Sequence, residues 1–191
     1  VSLPRLFVAA WPPAEVLDLL ETLPRPPDPG VRWTRRDQWH VTLRFLGAAD
    51  PDAATAALAS VDAVVAEAVL GPLTARLGRS VVVVPVAGLA EVAAAVAAAT
   101  ADVGEPPDPR PFAGHLTLAR LRQRPACGVT GARFSARFPV RELHLVRSHL
   151  HHEGARYETL AVAPLRGAPA TAPGAQDSGA GSSRSDAEFM Q

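Results

Sequence analysis

Six histidines occur in the chain, and two of them open the same short pattern. His40-Val41-Thr42-Leu43-Arg44-Phe45-Leu46 returns 75 positions later as His115-Leu116-Thr117-Leu118-Ala119-Arg120-Leu121. Both copies alternate polar with branched or aromatic residues, as a half-buried strand does. Period two puts His40, Thr42 and Arg44 on one face and Val41, Leu43 and Phe45 on the other. His115 and Thr117 oppose Leu116 and Leu118 in the same way. Each copy then carries an imidazole and a hydroxyl about 6 to 7 Å apart along the strand. Two such half-sites facing each other make an inventory for phosphodiester hydrolysis without a metal. One histidine takes a proton from water while the other protonates the leaving oxygen. The threonines donate to non-bridging oxygens, and a guanidinium balances the developing charge. A half-buried strand histidine beside a β-favouring threonine would give one such pattern by itself. The second copy, in the same phase, is what points to a site.

The elements that must position these residues alternate along residues 1–166. Residues 5–10 read as a strand and 12–23 as a helix, with proline at its first turn and Leu17, Leu20 and Leu23 on one face. Residues 39–46 form the strand of the first motif. Asp50 reads as an N-cap with Pro51 at the first helical position, opening an alanine-rich helix to about residue 70. Residues 73–77 and 80–86 suggest a hairpin around Gly78-Arg79, and Pro85 marks the second strand's end as an edge. A second alanine- and valine-rich helix covers 89–103, the second motif's strand 115–121, and a last hairpin pairs 140–150 with 157–163. Short hairpin links argue for antiparallel sheets, hence an α+β fold. From 167 to 191 the composition turns to Gly, Ala, Ser and Pro, too poor in apolar surface to order, so a single domain over 1–166 with a disordered tail is expected.

Composition bounds the rest. The 191 residues carry 19 cationic and 19 acidic side chains, which excludes a strongly basic nucleic-acid coat or an acidic solvating tail as the main identity. Every cation is arginine, so lysine nucleophiles and Schiff bases are excluded, and every cationic contact is a guanidinium suited to planar grips on phosphate. One cysteine, Cys127, cannot build a disulfide framework or a thiolate metal site, which suggests a reducing, cytoplasmic setting. No apolar run reaches the roughly 18 to 20 residues of a membrane span.

The paired motifs His40-Val41-Thr42-Leu43 and His115-Leu116-Thr117-Leu118 resemble the H-x-T-φ signatures of the two-histidine (2H) phosphoesterases. The wider pattern resembles their RNA 2',3'-cyclic phosphodiesterase branch, historically called 2'-5' RNA ligase or LigT-like. Supporting residues are Arg5-Leu6-Phe7-Val8-Ala9, Arg32-Trp33, the longer T-L-R-F-L-G and T-L-A-R forms of the motifs, and Ser148, Gly154 and Tyr157 near the end. The resemblance implies a bilobal fold, two antiparallel sheets related by a pseudo-two-fold around a central cleft, with helices outside. It implies opening of a terminal 2',3'-cyclic phosphate to a 2'-phosphate, with no metal or cofactor. His40 and His115 become the acid/base pair, Thr42 and Thr117 the phosphate-binding hydroxyls, and Arg120 an additional phosphate contact. The expected partners are RNA ends or nucleotides with a 2',3'-cyclic phosphate, acted on by a monomer without a membrane. Which histidine is the base stays open; analogy with a 2'-phosphate product leans towards His40 as acid and His115 as base. Ligation through a 2'-5' bond at the same site, or an RNA-end binding module without turnover, are the alternatives. Gly114 stands where the branch usually has proline. Arg120 is out of phase with His115 in an ideal strand and reaches the cleft only through a bulge or strong twist.

Other residues carry weaker signals. Arg44 reads equally as a phosphate contact or a structural residue, and Tyr157 as a cleft residue or a buried hydrogen-bonder. Arg32, Arg35, Arg36, Arg122 and Arg124 could rim the cleft. Trp33 and Trp39 could stack a base, although an aromatic beside a strand is more often core. His144, His149, His151 and His152 lack metal-site spacing and read as surface or hairpin-tip residues. Val81-Val82-Val83-Val84 reads as a buried strand.

Overall fold

The computed structural model describes residues 2–122, 128–151 and 154–167. The expected tail from residue 168, Cys127, Arg124 and His152 lie outside the described residues. Ten strands run β1 (Arg5–Ala10), β2 (Val31–Trp33), β3 (Val41–Ala48), β4 (Ala66–Leu70), β5 (Ala75–Leu77), β6 (Val81–Ala87), β7 (His115–Leu121), β8 (Ala136–Val140), β9 (Glu142–His151) and β10 (Gly154–Pro164). Three helices, α1 (Ala14–Glu21), α2 (Pro51–Ala59) and α3 (Ala90–Ala99), lie between them.

The strands pair antiparallel in the order β10-β9-β1-β3-β7-β6-β4-β8, with β2 added on β7 and β5 on β6. Along that path four strands lie on each side of the β3–β7 joint, and β2 and β5 both belong to the β7 side. That joint is a single residue pair, Val41 opposite Leu116. The expected pair of sheets is present, welded at this one point into a continuous curled sheet. One face packs under the helices as the main core, which includes Leu6, Val8, Val41, Leu43, Leu116, Leu118 and the helical Leu20, Leu58 and Val96. The other face carries a small separate cluster of Phe7, Ala9 and Val146, with Trp11 and Tyr157 against it.

Two sequence expectations change. The helix opened by Asp50, whose carboxylate accepts from the Asp52 amide, ends at Ser60, and the segment expected to continue it becomes β4. In β4 Ala68 and Leu70 face inward and Glu67 outward, a period-two choice that alanine-rich composition concealed. Nor is β6 an edge: it pairs with β7, β4 and β5. Pro85 is accommodated because its carbonyl accepts from Gly71, and the following amide, Val86, donates to Gly114. Gly114 is therefore held tightly, and a side chain there would collide with the Val86 carbonyl.

Candidate active site

The Val41–Leu116 pair sets the geometry of the site. Continuing its antiparallel register by one residue in each direction puts His40 across from Thr117 and Thr42 across from His115. The two half-sites thus meet head to tail about the joint, close enough that the charge of His115 acts on His40. All four side chains are half-buried, and neither Thr42 nor Thr117 spends its hydroxyl on another described residue.

Both histidines are oriented alike. His40 Nδ1 bonds the Gln38 carbonyl at 2.7 Å, and His115 Nδ1 bonds the Ala113 carbonyl at 2.8 Å. A carbonyl only accepts, so Nδ1 holds the hydrogen in both rings and Nε2 is left to take or give a proton. Around His40 the wall is aromatic, with Phe7 at 5.0 Å, Tyr157 edge-on at 5.0 Å and Trp11 at 5.2 Å between ring centroids.

That wall shifts the imidazole's titration. Burial drives the His40 pKa down from 6.5 to about 4, with further lowering by the nearby His115 and Arg120, while the Gln38 hydrogen bond opposes it. His40 is therefore neutral at neutral pH in the unliganded protein. Between pH 6.5 and 4 the unfolded chain binds a proton that the folded state resists, so folding stability falls as pH falls through that window. For a partly exposed ring the loss is roughly 2 kcal/mol from pH 7 to 4.5. Urea unfolding of wild type and His40→Gln at both pH values is expected to show that drop in wild type only. An equal drop in both would place the acid sensitivity elsewhere.

The threonine-to-arginine stretch holds the main departure from ideal strand phase. Phe7 pairs with Phe45 and Val8 with Arg44, but Ala9 pairs with Thr42, so Leu43 is an inserted bulge residue. The second motif repeats this: Val82 pairs with Ala119 and Val83 with Thr117, leaving Leu118 as the bulge. Residues after each bulge change face. Arg44, expected beside His40 and Thr42, turns to the helix side, where it is 6% exposed. There it donates to the Ala97 carbonyl at 3.0 Å, Thr100 Oγ1 at 2.9 Å and the Glu105 carbonyl at 2.6 Å. Its guanidinium therefore lies on the face of the sheet opposite His40 and Thr42. The same bulge in the second copy returns Arg120 to the cleft face, where its charge is felt by His40 and Tyr157. Tyr157 lies edge-on to Phe7 at 5.3 Å, and its burial raises the phenol pKa, so it remains a hydrogen-bond donor.

The stacking tryptophans are corrected. Trp39 is 1% exposed, bonds Thr34 Oγ1 and lies under Arg25, and Trp33 packs on the core and bonds the Pro26 carbonyl. Trp11 and Phe7 provide the cleft aromatics instead. Their spacing with Ala9 on the first strand, every second residue, was the available signal. Of the rim arginines, Arg35 pairs with Asp37, and Arg36 with Asp18 and Glu21. His149 pairs with Glu158 near the surface, whereas His144 is mostly buried, contacts Glu142 and stands edge-on to Trp11. Among the described residues no group of three or more His, Cys, Asp or Glu is placed to hold a metal, and no helix is long and apolar enough to cross a membrane.

An antiparallel sheet welded at one residue pair, with a His-x-Thr half-site on either side, is an arrangement similar to that of the two-histidine phosphoesterases. Residues 9–70 match the family described as LigT like Phosphoesterase. A curated relative, an RNA 2',3'-cyclic phosphodiesterase of Geobacillus stearothermophilus, is 31% identical over 160 residues. The match takes in 72% of this chain and 48% of the relative, so the chain spans about half that protein's length. Among solved structures, TT0787 of Thermus thermophilus superposes with a TM-score of 0.69 at 28% identity, covering 85% of this chain and 98% of that one. E. coli LigT complexed with 3'-AMP gives 0.67 at 25% identity, again covering 85% and 98%. The chain is thus similar to the LigT-like phosphoesterases in sequence over residues 9–70 and in fold over 85% of its length.

Proposed function

We propose that the protein is an RNA 2',3'-cyclic phosphodiesterase that opens a terminal cyclic phosphate to a 2'-phosphate by metal-independent two-histidine catalysis. The observation carrying this reading is the joining of the two motif strands at Val41–Leu116, which brings the charge of His115 onto His40, with both Nδ1 atoms tied to carbonyls. The 31% identical relative bears that activity in its name, and the 3'-AMP bound by E. coli LigT fits a nucleotide substrate.

In this reading the phosphate sits between Thr42 and Thr117, whose hydroxyls donate to its non-bridging oxygens, with Arg120 balancing its charge. His115 Nε2 takes a proton from the attacking water as the oxygen–phosphorus bond forms. The bond from phosphorus to O3' breaks, and O3' leaves with the proton of His40. The products are a 2'-phosphate and a free 3'-hydroxyl, and the two imidazoles exchange protons with solvent to reset. His40 is neutral before substrate arrives. The phosphodiester anion counters Arg120 and draws onto His40 the proton it then delivers.

The test is turnover of a nucleoside 2',3'-cyclic phosphate in excess EDTA. Chelator-resistant hydrolysis is expected. No turnover of that compound or of a short RNA ending in a cyclic phosphate would move the reading to the binding module.

A further inference from the structure

Strand β2 adds to β7 beside the second motif and brings two guanidiniums together. Arg32 stands directly opposite Arg120 in the antiparallel register, so both side chains leave the same face of the sheet. Their neighbours fix that face. Val31 and Trp33 pack on the core, while Arg32 and Arg120 are exposed. The outward face here is the cleft face, because both charges act on Tyr157, which abuts His40. Arg32 also reaches across to the last hairpin: a Cβ at Gly154 would lie 3.9 Å from its Nη1.

Like charges directly opposed across a strand pair are destabilising. The usual remedy is a carboxylate between them. Among the described residues neither Arg32 nor Arg120 has a hydrogen bond or ion pair. The acid whose charge reaches this region, Asp37, is engaged by Arg35 at 3.1 Å. Arg35 and Arg36, from the same segment, are each matched to acids, whereas Arg32 is not. Its position is also informative. Arg120 already faces the phosphate held by the threonines, and Arg32 stands on the next strand, about 5 Å further out at ordinary strand spacing. A second anion on that side of the reacting phosphate is what the neighbouring nucleotide step supplies.

We propose that Arg32, one strand out from the Arg120 that balances the reacting phosphate, binds a second phosphate of the substrate: the phosphodiester on the 5' side of the terminal nucleotide. The pair selects RNA ends over mononucleotides. This rests on the phosphodiesterase reading above, and its test is a binding measurement that needs no turnover. Adenosine 3',5'-bisphosphate and adenosine 3'-monophosphate are titrated by calorimetry into wild type, Arg32→Met and Arg133→Met at one ionic strength. Arg133 lies on the segment beside Leu73, away from the cleft, and controls for the loss of one positive charge.

Wild type is expected to prefer the bisphosphate by about tenfold, as a charge-assisted bond to a second phosphate gives. Arg133→Met should keep that preference, and Arg32→Met should reduce it to within about twofold. A wild-type protein that binds both compounds equally, or an Arg32→Met variant that keeps the full preference, would overturn the proposal. Failure of cyclic-phosphate hydrolysis with the preference intact would remove the phosphodiesterase reading and leave the two-phosphate site standing.

Discussion

Replacing His40 or His115 with alanine is expected to lower kcat on a 2',3'-cyclic phosphate by about a thousandfold or more, since each removes one proton-transfer group. The size follows from the geometry. Each imidazole has its Nδ1 committed to a carbonyl, so Nε2 is the working atom, and the opposite half-site supplies a threonine rather than a spare base. The double variant should be little worse than either single one, because the two act as a unit. Thr42→Ala and Thr117→Ala should behave differently, each slowing turnover by about ten- to a hundredfold without abolishing it. Rate measurements on variants with wild-type circular dichroism and melting separate these cases. A folded His40→Ala or His115→Ala protein with near-normal kcat would remove the acid/base assignment.

Arg44→Met is expected to destabilise the fold by about 2 to 4 kcal/mol and to leave KM within about twofold of wild type. Arg44 is buried on the helix side of the sheet, where its guanidinium ties the end of α3 to the following loop through Ala97, Thr100 and Glu105. Methionine fills much of the same volume but leaves those three acceptors short of a partner. Gly104 shows how closely this loop is drawn in. Its φ is +69°, and any side chain there would collide with the Leu46 carbonyl, which accepts from the Glu105 amide. Urea unfolding read beside steady-state kinetics decides the matter. A raised KM with unchanged stability would return Arg44 to the cleft.

Arg44 also shows where sequence reading stops. Alternation correctly put His40 with Thr42 and His115 with Thr117, because no bulge interrupts those three-residue spans. One residue later Leu43 and Leu118 are inserted, and nothing in their identity announces it, since leucine packs as well in a bulge as in a regular pair. A strict period of two then misplaces Arg44 and leaves Arg120 looking out of phase. The duplication held the clue: if Arg120 must reach the cleft through a bulge, its counterpart is Phe45, not Arg44. The outer strands were harder to read for another reason. Residues 66–70, Ala-Glu-Ala-Val-Leu, have ordinary helix propensity, and it is pairing with β6 and β8 that makes them a strand. Trp39 and Trp33 were ambiguous because an aromatic beside a strand reads alike whether it faces core or cleft. Trp11 escaped notice because it lies just past the end of β1, before two prolines.

The most direct test of the central claim is the identity of the product. Phosphorus NMR of a nucleoside 2',3'-cyclic phosphate incubated with the protein in excess EDTA distinguishes the 2'- from the 3'-phosphate. The two-histidine site with His40 beside the 3'-oxygen predicts the 2'-phosphate alone, and no product from His40→Ala or His115→Ala. A 3'-phosphate product, or hydrolysis that survives loss of either histidine, would contradict it.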